Sequence, residues 1–194
     1  MASSFYMKGI NIEENIENRI IDLITKGSED RLIVFKPKED TQSIDLVVKK
    51  RGEYKSSPIK KVKTPFKIGQ DFFAPRKTKS KELSFQVNVF IGPVESDIVV
   101  KNILQDNFVP NKNFYLMFVY FDEVQQDVVN IWMMPSYDFS LIAEKSEIEN
   151  NKATLKFEAT INLKNKDKYS RFLVKKEELG NFLLQIVEAK SRPK

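Results

Sequence analysis

The sequence predicts an α/β (α+β) fold in three layers, a mixed central sheet flanked by helices. Three observations point there. Amphipathic helical patterns stand near both ends of the chain, at about 12–26 and in "VKKEELGNFLLQIVEAK". Between them come three strand-like runs, one helix-like run and then further strands. Finally, "FYLMFVYF", residues 114–121, is apolar at every position, as a strand covered on both faces is.

Each element has its own warrant. In the first helix Asn11 can serve as the cap, Glu14 takes the capping-box position and Gly27 can end it. Ile16, Ile20, Leu23, Ile24 and Gly27 follow the spacing of a buried stripe, and Glu17 borders that stripe. "RLIVFKP" is a strand stopped by Pro37, and "SIDLVVKKR" is a second strand with Asp45 in its first half. "ELSFQVNVFIGP" is a third, ended by Gly92-Pro93. It places Phe85, Val87 and Val89 on one face and Gln86, Asn88 and Phe90 on the other.

"ESDIVVKNILQDN" reads as a helix with Ile98, Val99 and Ile103 on one face, although its β-branched content also suits a strand. The apolar 114–121 strand is central, and "VVNIWMMPS" pairs beside it across the turn "DEVQQD", with Trp132 in the core. "YDFSLIAEK" is a helical turn or short helix, and "NKATLKFEATINL" an edge or half-buried strand. The last helix carries Leu179, Phe182, Leu183 and Ile186, before a frayed tail.

Composition narrows the chemistry. The 194 residues suit one domain, 1–194, and 41% of them are apolar. The longest apolar run is too short to cross a bilayer, and the N-terminus lacks a signal-peptide pattern, so a cytoplasmic protein with no membrane partner is expected. There is no cysteine and no histidine. That removes thiol nucleophiles, cysteine-ligated zinc, histidine-metal sites and the histidine general base. Any catalysis must run on carboxylates, lysines, hydroxyls and amides, for which an oxygen-ligated cation such as Mg²⁺ is the suitable metal.

The net charge of +5 is unevenly spread. Residues 49–81 hold twelve Lys or Arg against Glu53 and Asp71, a local +10, so the rest of the chain carries −5. Within this stretch, about 52–80 reads as a long basic loop insertion carrying Pro58, Pro65 and Pro75. Lys49, Lys50, Arg51, Lys60, Lys61, Lys63, Lys67, Arg76, Lys77 and Lys79 are the candidate phosphate contacts. Tyr54, Phe66, Phe72 and Phe73, interleaved with them, suit base stacking. The bland alternative is a solvated insertion whose charge aids solubility.

The order of elements, with Asp45 in "SIDLVV" and Gln86 and Asn88 in "FQVN", resembles the PD-(D/E)xK nuclease-like (restriction-endonuclease-like) superfamily. That resemblance implies a helix-strand-strand-strand-helix-strand core. It implies a metal-binding Asp near the start of the second strand, matched by Asp45. On the third strand it implies an acid or Gln, one residue, then Lys, and these positions are Gln86 and Asn88. A Glu from the first helix often joins them, and Glu17 fits best, with Glu13 one turn earlier. Asn88 is the departure, because an amide cannot supply the charge with which a lysine activates water and offsets developing phosphate charge. Lys49 shares a face with Asp45 but lies roughly 13 Å along the strand.

The resemblance therefore implies a nuclease-like nucleic-acid-binding protein with a degenerate metal-dependent phosphodiesterase site. One alternative is an active Mg²⁺-dependent nuclease with a displaced lysine, for which Mg²⁺ is the cofactor. Another is a non-enzymatic protein-interaction module on the same fold. For each site residue an ordinary role also stands. Asp45 can cap a turn or pair with a lysine, Gln86 and Asn88 can be hydrogen-bonded buried amides, and Glu17 can be a solvated helix-edge residue. The sequence leaves oligomeric state open.

Overall fold

The chain was analysed as a computed structural model, in which residues 3–37, 44–51, 82–92, 97–104, 110–148, 152–162 and 164–191 are described. The first helix, α1 (Ser3–Gly27), begins well before Asn11, because no proline or β-branched run interrupts residues 3–10. Ile16, Ile20 and Ile24 are buried, as their spacing predicts. The helix is closed by Glu29 and Asp30, whose φ angles of 53° and 58° are left-handed. The Asp30 amide donates to the Thr25 carbonyl and the Glu29 amide to that of Lys26, each at 3.0 Å, the bonding pattern of a Schellman cap.

Gly27 is needed for a different reason from the stop signal expected of it. It meets Gly180 of the C-terminal helix α3 (Leu179–Ser191) at close range. A Cβ on Gly27 would lie 3.0 Å from the Gly180 nitrogen, and one on Gly180 would lie 2.4 Å from the Ile24 carbonyl oxygen. The crossing turns α3 so that Leu179, Leu183, Leu184 and Val187 are buried. Phe182, expected in the buried stripe, is 40% exposed, and Ile186 is half-buried.

In chain order the strands are β1 (Leu32–Phe35), β2 (Leu46–Lys50), β3 (Leu83–Gly92), β4 (Ile98–Leu104) and β5 (Phe114–Asp122). They continue with β6 (Asp127–Pro135), β7 (Glu144–Ile148), β8 (Lys152–Thr160) and β9 (Leu173–Val174). A short helix α2 (Ser136–Ile142) follows β6, where a helical turn was expected. Six strands form a mixed sheet in the order β1-β2-β3-β5-β6-β9. β1, β2 and β3 are an antiparallel meander, β5 runs parallel to β3, and β6 and β9 continue antiparallel. β5 is central and buried along nearly its whole length, and β6 pairs with it as a hairpin, both as predicted.

Two sequence expectations are corrected. The stretch expected as a second helix is strand β4, in which Val99 and Ile103 are buried while Val100, Asn102 and Leu104 are exposed. Its β-branched residues fit a pleated surface better than a helical one. β8, expected as an edge or half-buried strand, is half-buried but lies in the middle of a second, antiparallel sheet ordered β4-β8-β7. The sequence reading had no counterpart for β7 or β9. The second flanking layer is thus largely a sheet, with helices α1 and α3 on the opposite face.

Each face of the central sheet has its own core. Toward the helices, Ile16, Ile20 and Ile24 pack with Phe85, Met117, Leu183 and Val187. Toward the second sheet, Leu116, Phe118, Trp132, Phe139, Phe157 and Tyr169 pack together. Phe118 and Phe157 stack across the layers with ring centroids 3.8 Å apart and 3° between planes. The free edges are blunted. β1 and β9 are short, and β4 carries exposed Lys101 between Val99 and Ile103 on its inward face, a charge that discourages edge-to-edge pairing.

The helix crossing yields a sharp prediction. Gly180→Ala forces a methyl against backbone atoms of α1 that no side-chain rotation can clear. It should cost on the order of 2–3 kcal/mol, the upper range of overpacking, read from urea denaturation midpoints.

Candidate functional site

Asp45 immediately precedes β2 and forms the last rung between β2 and β3. Its amide donates to the Phe85 carbonyl at 2.8 Å, and its carboxylate Oδ2 accepts the Val87 amide at 2.6 Å. Leu46 pairs with Phe85, so Asp45 stands opposite Gln86. The structure therefore brings Asp45 together with the Gln86–Asn88 segment, as the sequence predicts. The carboxylate does so by capping a strand amide, as a backbone carbonyl would if β2 continued.

The alternation of β3 is also as read. Phe85, Val87 and Val89 join the core under the helices, while Phe90 stacks with Phe118 and Phe157, at 6.3 and 6.0 Å, toward the second sheet. Gln86 is half-buried on that side, and Asn88 is only 6% exposed. Asn88 lies beside Phe118 in the parallel ladder. Its Nδ2 meets no hydrogen-bond acceptor among the described residues. The buried donor Trp132 Nε1, two strands away in the same layer, shares that condition. Sequence reasoning placed Trp132 in the core, where it is, but a missing long-range partner leaves no local signal.

The other predicted residues are engaged elsewhere. Glu17 pairs with Lys36 at 2.7 Å, on a helix covering the opposite face of the sheet from Gln86 and Asn88. Glu13 is exposed on the same helix. Lys49 points its ammonium at the Phe35 ring, 4.8 Å from the centroid, and lies 3.9 Å from the Glu82 carboxylate. Lys50 pairs with Glu188 at 2.9 Å. Arg51 is exposed at the end of β2, its amide bonded to the Arg31 carbonyl at 2.8 Å. Lys60, Lys61, Lys63, Lys67, Arg76, Lys77 and Lys79, with the rest of the basic insertion, lie outside the described residues.

Two consequences follow for chemistry. Among the described residues no three carboxylates gather as a metal site would need, so Asp45 belongs to no such cluster. Moreover, the insertion leaves from Arg51 and returns at Glu82, whereas Asp45 is at the other end of β2. The five residues of β2 separate Asp45 from Arg51, six steps along the strand or roughly 20 Å. The sequence reading set the basic segment next to the acid; the segment itself lies outside the described residues. The chain matches no protein-family model, no curated protein and no solved structure.

Three substitutions test the roles seen here. Asp45→Ala removes a charged acceptor and should cost about 1.5–3 kcal/mol, whereas Asp45→Asn keeps an acceptor and should retain more than half of that stability. Millimolar Mg²⁺ should leave the unfolding midpoint of the unsubstituted protein unchanged, since a ligand of the native state would raise it. Asn88→Leu, which keeps the branched skeleton in a somewhat larger side chain, removes an unpartnered buried donor; it should be close to neutral, within about 1 kcal/mol, in the same denaturation assay.

Proposed function

We propose that the protein binds nucleic acid on a nuclease-like scaffold whose metal-dependent phosphodiesterase site is degenerate. The observation that carries this reading is the Asp45 contact. An antiparallel β1-β2-β3 meander followed by parallel β5 sets an aspartate against the segment holding Gln86 and Asn88. That is the arrangement the PD-(D/E)xK resemblance implies. Here the acid caps a backbone amide and the lysine position holds a buried amide. The crossover from β3 to β5 carries a strand where the resemblance implies a helix.

Nucleic acid is the proposed partner because +10 of charge is concentrated in residues 49–81, interleaved with aromatic residues. No helix among the described residues is long and apolar enough to cross a membrane. On this reading the protein works in the cytoplasm, where a chain without cysteine loses nothing. A second reading, a protein-interaction module, rests on the outward face of β4, where Ile98 and Val100 are 50% and 48% exposed.

Titrating labelled duplex and single-stranded DNA with the protein at several salt concentrations tests the proposal. The expected result is log K falling linearly with log salt, by roughly 0.9 per phosphate neutralised on duplex. Lys60, Lys61 and Lys63 changed together to Glu should flatten that slope and weaken binding. Cleavage in Mg²⁺ or Mn²⁺ that disappears in Asp45→Ala would instead establish the active-nuclease alternative. No binding at low salt, or binding indifferent to salt, sinks the proposal and leaves the interaction module.

A further inference from the structure

A groove opens on the helix side of the central sheet, on the opposite face from Gln86 and Asn88. It exists because β9 is two residues long and pairs only with Ile131 and Trp132. Past that point β6 continues to Pro135, with α3 above it and the 3₁₀ turn Ser170–Phe172 beside β9. The space left is about 270 Å³, lined chiefly by Tyr115, Met133, Phe172, Phe182, Ile186 and Arg171. An apolar cavity of about 150 Å³ is enough to hold benzene, and drug-sized sites begin near 300 Å³. The occupant is therefore small, an apolar body of one or two rings or a medium alkyl chain.

The lining explains why Phe182 is exposed although it stands on an amphipathic helix. Phe182 and Ile186, one helical turn apart, present one side of α3 to the groove. The single formal charge among the lining residues is Arg171. Its guanidinium lies 4.7 Å over the Phe172 ring and makes no ion pair among the described residues. Stacking fixes the plane of a guanidinium and leaves its donors free for a carboxylate, which it can bind through two parallel hydrogen bonds.

Charges of both signs stand near the Tyr115 end of the groove, the Lys190 ammonium and the Asp138 carboxylate. The Lys190 ammonium stands 5.1 Å from the Tyr115 ring centroid, fixed by the Asn113 Oδ1 at 2.8 Å and by the Lys112 carbonyl. Burial, with the Asp138 carboxylate adding to it, raises the Tyr115 hydroxyl above the usual phenol range, so this lining residue stays protonated and neutral.

From this geometry we infer that the groove is a binding site for a small amphipathic monocarboxylate. The apolar body lies between Met133, Phe172, Phe182 and Ile186, and the carboxylate meets Arg171 at the rim.

The test uses the full chain with ¹³C-methyl methionine, the Met133 signal being assigned by Met133→Leu. Octanoate below its micelle concentration, octanamide and benzoate are titrated separately. Octanoate or benzoate should shift the Met133 methyl saturably, the tighter of the two telling chain from ring. Octanamide should bind at least tenfold more weakly than octanoate. Arg171→Gln, at an exposed position, should reduce octanoate affinity to the octanamide level with an unchanged thermal midpoint. Ile186→Trp, which fills the groove, should abolish the shift for every probe. A Met133 methyl unmoved by both carboxylates overturns the inference. So does equal binding of octanoate and octanamide that ignores Arg171→Gln.

Discussion

β5 has apolar side chains on both faces, and most of the architecture follows from covering them. Tyr115, Met117, Val119 and Phe121 turn toward the helices, while Leu116, Phe118 and Tyr120 turn toward the second sheet. A strand of this kind cannot stand at an edge or face water on either side. Because β5 runs parallel to β3, the chain must also cross from the end of one to the start of the other, which no tight turn can do. The crossover here contains β4, and β4 with β8 supplies the missing cover. One sequence feature thus demands both the helical layer and the second sheet.

That cover has a consequence for the Asp45 neighbourhood. Phe90, Phe118 and Phe157 pack between the two sheets, and Asn88 is enclosed beside them. A lysine at position 88 would have to bring its ammonium out of water into this aromatic layer. Only a close, well-bonded counter-charge could offset that, and one acceptor site of the Asp45 carboxylate is taken by the Val87 amide. A neutral amide suits the position better, even with one donor unpartnered. Covering the face with a sheet and keeping a charged, open catalytic site on it are competing demands, and the packing of this chain meets the first.

Much of this was legible in the sequence where the governing forces are local. The stripe of Ile16, Ile20 and Ile24, the unbroken apolar run of β5 and the alternation through Phe85–Phe90 each record burial within a few residues of chain. The approach of Asp45 to Gln86 was expected from the resemblance alone, since β2 and β3 are joined by a long insertion. The failures share a different cause. Val99 and Ile103 are four apart, a spacing that fits one helical face and equally two inward positions on a strand, and only the partner β8 decides between them. Phe182 was placed in the core because helical periodicity cannot know that Gly27 and Gly180 meet and turn α3. The pairing of Glu17 with Lys36 and the groove beside Arg171 depend on distant segments and leave no mark on either stretch alone.

The attachment of the basic segment bears on how binding and chemistry relate. Its ends are Arg51 and Glu82, roughly a strand length from Asp45. Where its charge meets the folded core it is partly answered: Lys49 lies near Glu82, and Lys50 pairs with Glu188. Half-exposed pairs of this kind contribute modestly to stability, but they do offset charge that would otherwise reach a phosphate. Any affinity for nucleic acid therefore draws mainly on the residues beyond Arg51, and those do not need Asp45, Gln86 or Asn88 to be in working order. In the reading proposed here, binding and catalysis were separable from the start. On that reading, an amide at position 88 suits the packing of the second sheet without altering the charge proposed to contact nucleic acid.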